Sequence, residues 1–209
     1  MPLFRKKTPK RRSVTGTVWH YSVHREILQK DFDHRCGYCD SHDSFRHAHY
    51  EIDHFIPKKT LKEVFPIPEE YKIKEQEYSN LVYSCQSCNN AKGDQWPIES
   101  IDIHHKNDIG FIDPCNSKYD DQFKRDQNGE IKYKTELGKW MYKALKLWKP
   151  EHSIRWHLDE LDQVLDEIEM LMPSKDSKEK KEFDQKHYSV LLNHRKYYSQ
   201  LKDYLSHAK

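Results

Sequence analysis

Two C-x2-C pairs, Cys36 and Cys39 in "CGYC" and Cys85 and Cys88 in "CQSC", constrain this chain more than any other feature. Thiolates at that spacing can converge on one tetrahedral zinc ion, and four sulfur ligands leave no position open, so such a zinc would be structural. It would close a long loop and contribute folding energy directly. The composition needs that help, because hydrophobic residues are 35% of the chain, charged residues 33%, and mean hydropathy is -1.08. With so few core-forming side chains, a small domain needs a staple. In a reducing compartment paired C-x2-C spacing points to a metal before disulfides. Cys115, in "IDPCN", is left over and reads as a packed thiol.

Length and charge bound the remainder. The 209 residues suit one domain with an extension, or two small domains. The formal net charge is only +2, but "RKKTPKRR", from Arg5 to Arg12, gathers basic residues near the start. Residues 1–17 are therefore expected to form a basic tail, suited to phosphate contacts or simply solvated. No apolar run follows as in a secretory signal, and none approaches the ~20 residues of a membrane span. A soluble, cytoplasmic protein without membrane contact is the expectation.

Hydrophobic periodicity gives the coarse organisation. Val18 to Phe32 reads as a helix, with Trp19, Val23, Ile27 and Phe32 near helical intervals. "HAHYEIDHFIP" alternates and ends at Pro57, as a strand entering a loop does, and "NLVYSC" reads as a second extended segment. "CQSCNNAK" is a short helix closed by Gly93. Asn128-Gly129 marks a hairpin, and "TELGKWMYKALKLW" a helix stopped before Pro150. Ile154, Leu158, Leu161, Leu165, Ile168 and Met172 form the seam of a longer helix. After a polar connector, Pro173 to Lys181, a last helix places Tyr188, Leu191, Tyr198, Leu201 and Leu205 on one side, and the two helices are expected to pair antiparallel. The boundaries expected are a tail at 1–17, a domain at 18–115, a hairpin connector at 116–134 and a helical region at 135–209.

The insert between the cysteine pairs carries the chemistry. Asp53 and His54 offer a carboxylate and an imidazole side by side at the end of a strand. Asn89 follows the fourth cysteine directly, so a zinc would fix its position; Lys92 shares its face if the segment is helical. Oxygen ligands from Asp53 and Asn89 suit a hard cation such as Mg2+ or Mn2+. His54, beside that ion but not bound to it, could take a proton from an attacking water. Singly, each residue has a plainer reading as surface loop, turn or solvated lysine, and only their coincidence with the cysteine frame raises the chemistry above it. His47 and His49 read as residues behind the metal's ligands or on the surface, Glu51 as a weak candidate for the site, and His104-His105 as unconnected to it.

The pattern C-x2-C … DH-x2-P … NL-x3-C-x2-CN-x2-KG, from Cys36 to Gly93, resembles the HNH endonucleases. That resemblance implies an α+β fold: a ββα-metal (His-Me finger) nuclease core with structural zinc, here followed by an α-helical C-terminal extension. It implies Asp53 as a metal ligand, His54 as general base, and Asn80 as the residue bracing the loop that carries the base. Asn89 stands where many members have the last histidine, an H-N-N variant. Lys92 would contact phosphate, as would Lys58 and Lys59 of "HFIPKK". The substrate implied is nucleic acid, DNA before RNA. "CGYCD", "YSNLVYSCQSCNNAKGDQWP" and "TELGKWMYKALKL" are also similar to HNH proteins of bacterial anti-phage defence, including nuclease subunits of the Septu and related retron systems. Those work beside an ATPase, which implies a partner docking on the C-terminal helices. The competing expectations are a zinc module that binds nucleic acid without cutting it, and an assembly subunit of a larger complex.

Overall fold

A computed structural model describes residues 3–207 apart from 15, 17, 45–49 and 171–177. His47, His49 and Met172 lie outside the described residues, as does much of the polar connector. The chain divides into two compact units, Met1–Trp148 and Lys149–Lys209.

In the first unit, a 3-10 turn at Tyr21–His24 leads into α1 (Arg25–Asp31), followed by β1 (Tyr50–His54). The helix starts later than periodicity suggests, and its buried side is His24, Leu28 and Phe32, whereas Trp19 is 81% exposed and Val23 is also exposed. His24 takes the inward position by packing its ring edge-on to Tyr78, a role that an apolar count cannot see. Two short helices, α2 (Lys58–Val64) and α3 (Pro68–Glu75), fill the connection to β2 (Leu81–Cys85). The strands β1 and β2 are antiparallel, with Tyr50 opposite Cys85 and Asp53 opposite Val82. Cys85 ends β2 and caps α4 (Gln86–Lys92), so hairpin and helix form a ββα unit without any linker. Gly93 closes α4 at φ +49°, a left-handed backbone that glycine adopts without strain.

Downstream segments wrap this unit. β3 (His105–Lys106) and β4 (Ile109–Gly110) form a small hairpin around Asn107-Asp108, both at positive φ. Those two residue types tolerate that backbone, a turn signal not read from the sequence. β5 (Phe123–Arg125) and β6 (Ile131–Tyr133) are the hairpin signalled by Asn128-Gly129, though its turn is longer than two residues. The Asp126 carboxylate accepts from the amides of Asn128 and Glu130 and holds that turn shut. α5 (Glu136–Ala144) is capped by Thr135, whose hydroxyl accepts from the Gly138 amide. It contributes Leu137 and Met141 to the same core as Leu28, Phe32, Leu81 and Phe111. The expected boundary at 135 therefore falls inside the first unit, because α5 buries its apolar face there.

The basic run is no solvated tail. Phe4 is buried against Phe123 and Tyr119. Arg5 donates to the carbonyls of Gly37 and Pro114 and pairs with Asp120. Arg11 donates to the Leu81 carbonyl and to both oxygens of Asp113, and Arg12 pairs with Asp31. Guanidinium groups present several donors each, and here they satisfy carbonyls that would otherwise be buried unpaired. Lys7 and Lys10 stay exposed.

The second unit is a hairpin of α6 (Pro150–Met170) and α7 (Lys178–His207). His157 stacks on Tyr197 at 4.4 Å and His194 reaches Asp162 at 2.9 Å, an antiparallel register. The covered side of α7 runs through Phe183, His187, Val190, His194, Tyr197 and Leu201. Of the face expected from the sequence, Leu201 is buried but Tyr188, Leu191 and Tyr198 are exposed. The helix is turned so that imidazole and phenol rings pack inward, and the His194 imidazole finds Asp162 across the seam. Among the described residues no helix is long and apolar enough to cross a membrane.

Because Arg5 is tied to three separate segments, Arg5→Met should lower the stability of the first unit by about 2–3 kcal/mol in urea unfolding. A freely mobile tail would give no change.

Candidate active site and metal centre

The four sulfurs of Cys36, Cys39, Cys85 and Cys88 lie within 4.8 Å of one another, and all four residues are buried. A tetrahedral ion with Zn–S of about 2.3 Å needs sulfurs about 3.8 Å apart, and Cys39 Sγ is 3.7 Å from Cys85 Sγ. Burial pushes the Cys36 and Cys88 thiols well above their ordinary range, so these groups ionise there only with a cation to compensate. The donor set thus suits a structural zinc. Among the described residues this is the one set of three or more His, Cys, Asp or Glu side chains close enough to share an ion. Gly37 makes the knuckle possible, since a Cβ there would come within 2.7 Å of Phe32 Cε1 and 2.9 Å of Val82 Cγ1. Cys115 stays apart, and burial raises its thiol to about 11, leaving it protonated and inert.

A second centre opens beside this frame as a cleft of about 590 Å³, with Glu51, Asp53, His54, Lys58 and Asn89 among its walls. β1 supplies the first three and α4 supplies Asn89, so the ββα packing alone brings them together. Asp53 is 7% exposed. Tyr38 donates its hydroxyl to Asp53 Oδ2 at 2.5 Å, and Lys92 Nζ lies 3.1 Å from the same oxygen. Lys92 also donates to the His54 carbonyl at 2.8 Å. The Lys92 side chain is wholly buried. It therefore cannot contact phosphate as expected: its length lets it reach under the strand, where its charge balances Asp53. Lys58 and Lys59 remain exposed, with Lys58 Nζ 3.8 Å from Glu75.

His54 is 5% exposed, and its Nε2 lies 2.8 Å from the Glu75 carbonyl oxygen. A carbonyl only accepts, so Nε2 carries the proton and Nδ1 is left as the basic nitrogen. Burial holds the imidazole below its ordinary value, against a smaller opposing pull from the Glu75 carbonyl and Asp53. Neutral imidazole is the form that can accept a proton. Tyr21 packs edge-on to the ring at 4.7 Å. Asn80 accepts from the Ile56 amide at 2.8 Å and donates to the Ile56 carbonyl at 3.1 Å. That two-point clamp fixes the backbone two residues after His54. The Asn89 amide nitrogen donates to Glu51, which leaves the Asn89 carbonyl oxygen for another partner.

Of the residues singled out in the sequence, the fold brings Asp53, His54 and Asn89 to one cleft and Asn80 to its supporting loop, and Glu51, a weak candidate there, also lines the cleft. Tyr38, which bonds Asp53, was not among them; its one signal was its place inside "CGYC". His104 is structural, packed against Phe55 and Trp96.

A family model described as HNH endonuclease matches residues 36–95, the span of the cysteine frame and the cleft residues of β1 and α4. Those residues constitute an HNH endonuclease domain. The Septu protein PtuB of Bacillus mycoides (strain KBAB4) is 28% identical over 136 residues, covering 59% of this chain and 45% of the relative. The chain thus matches less than half the length of that relative. No solved structure matches the chain.

Cys85→Ser should abolish tight zinc binding and the cooperative unfolding of the first unit, because the ligand at the junction of β2 and α4 is lost. Metal analysis of the purified variant beside its melting curve tests this; a variant with full zinc and unchanged melting would contradict it.

Proposed function

We propose that the domain hydrolyses phosphodiester bonds of nucleic acid, DNA in preference to RNA, and serves in the cytoplasm as the nuclease of an anti-phage system. The observation that supports this most directly is the meeting of Asp53, His54 and Asn89 in one cleft, with the base's backbone clamped by Asn80 and its ring oriented by Glu75. The donors there are hard oxygens, unlike the sulfur set next door. Asp53 and Asn89, with Glu51 beside them, would hold a hard divalent cation such as Mg2+ or Mn2+. Bound there, that ion supplies charge stabilisation for the scissile phosphate and the departing oxygen.

The chain's own groups account for the remaining steps. His54 Nδ1 takes a proton from water as its oxygen bonds to phosphorus in line with the leaving 3′ oxygen. The Nε2–H bond to the Glu75 carbonyl stabilises the imidazolium that results. The phosphorus–oxygen bond to the 3′ side breaks, that oxygen gains a solvent proton, and 5′-phosphate and 3′-hydroxyl ends remain. Tyr38 and Lys92 keep Asp53 in one orientation throughout. Lys58 and Lys59 stand exposed next to the cleft and would meet the strand's backbone.

A second role accompanies the first. Tyr188, Leu191, Leu192 and Tyr198 are exposed on α7, and the similarity to a Septu protein supports a partner protein, which would be an ATPase docking on that helical hairpin. Co-elution with a co-expressed ATPase would support this, and separate elution under all nucleotide conditions would count against it. A purely non-catalytic module, by contrast, would tolerate loss of the base.

His54→Ala should cut plasmid nicking in Mg2+ or Mn2+ by about 10²–10⁴-fold while zinc content stays at the wild-type level. Undiminished nicking by that variant would remove His54 from the mechanism. Tyr38→Phe, which keeps the ring and loses one bond to Asp53, should raise the divalent ion concentration for half-maximal cleavage by about 10–100-fold.

A further inference from the structure

Trp19 is 81% exposed although it stands beside the cleft. Its carbonyl accepts from Gln76 Nε2 at 3.1 Å, which fastens the segment to the end of α3, one residue from the carbonyl that orients His54. From the indole, ring contacts run inward in series: Trp19 to His20 at 5.5 Å, His20 to Tyr21 at 4.1 Å, and Tyr21 to His54 at 4.7 Å. His20 and Tyr21 line the cleft, and Lys58 Nζ lies 5.4 Å from the Tyr21 ring centroid. A lone surface aromatic is ordinary. This one is the outer end of an aromatic series whose inner end is the imidazole.

We propose that Trp19 is a stacking platform for an unpaired nucleobase next to the scissile phosphate, so that the cleft selects single-stranded or locally unpaired nucleic acid. The inference rests on the nuclease reading of the cleft and adds the substrate class to it. A base inside a duplex already has both faces covered by its neighbours, whereas a single strand, loop, bulge or end can lay a free face on an indole. Electrostatics leave room for such a contribution. Arg5, Arg11 and Arg12 are engaged by carbonyls and carboxylates, and Lys92 is sealed beneath Asp53. Among the described residues only two lysine or arginine side chains line the cleft itself, Arg25 and Lys58, and a strand held there mainly by charge would need more of them. Stacking supplies affinity that is indifferent to sequence and little affected by salt.

The test is fluorescence anisotropy with the full-length chain carrying His54→Ala, so that nothing is cut, using a labelled single-stranded oligonucleotide and its blunt duplex. Trp19→Ala should weaken single-strand binding roughly 5- to 150-fold, the equivalent of one lost base stack, and leave duplex binding unaltered. Trp19→Phe should retain most of the affinity. Trp148→Ala, which removes another exposed indole, should change nothing. Zinc content verifies folding of each variant. In the otherwise wild-type chain, Trp19→Ala should raise KM for single strands with kcat unchanged. Single-strand affinity within twofold of the parent, or an equal loss on duplex, would overturn the platform and leave the indole for a protein partner. Trp19-dependent binding by a chain that cuts nothing in any divalent ion would instead sink the nuclease reading alone.

Discussion

The convergence of four buried thiols on one point is the constraint on which the first unit depends. In a chain with a third of its residues charged, burial of apolar area alone is a weak organiser, and a metal-ready knuckle joins segments that little else would hold. Its consequences spread through the neighbours of the sulfurs. Cys85 is at once the end of β2 and the cap of α4. Arg125, itself buried, donates to the Cys39, Gly129 and Phe4 carbonyls and so ties the knuckle to a hairpin and to the N-terminal strap. Tyr38, held between two cysteines, carries the influence of the knuckle to Asp53 through one hydrogen bond.

That last link joins scaffold and cleft. A carboxylate that is to hold a cation, as proposed for Asp53, must be oriented without being neutralised, and Asp53 takes a neutral donor from one side and a buried ammonium from another. The pair Asp53 and Lys92 has no large exposed surface, so its charges are compensated locally, as buried charges must be. The imidazole next door is treated in the opposite way: burial keeps it uncharged, and a carbonyl fixes which nitrogen holds the proton. Two adjacent residues of one strand thereby acquire different electrostatic roles, because successive side chains of a strand face different surroundings.

Several departures of the structure from the sequence reading share one cause, a polar group used internally. Arg5, Arg11 and Arg12 have the composition of a nucleic-acid tail and act as struts for buried carbonyls. Lys92 has the position of a phosphate ligand and acts as a counterion below the strand. The covered face of α7 includes His187, His194 and Tyr197, which a count of aliphatic residues passes over. Hydropathy ranks such side chains by their charged or polar ends, whereas packing also uses their flat or aliphatic bodies.

The sequence by itself determined the cysteine frame, the strand ending in Asp53-His54, the helix opening at Gln86 and closing at Gly93, and the presence of two long C-terminal helices. These are local: spacing along the chain sets metal geometry, and φ/ψ preferences set caps and turns. Tertiary structure alone decided which charged side chains would meet solvent, that Tyr38 and Lys92 would grip one carboxylate from residues far apart in the chain, and that the Trp19 indole would stand exposed at the end of a ring series leading to His54. Each of those outcomes depends on desolvation and on partners distant in sequence, and neither quantity is defined until the chain has closed around its sulfurs.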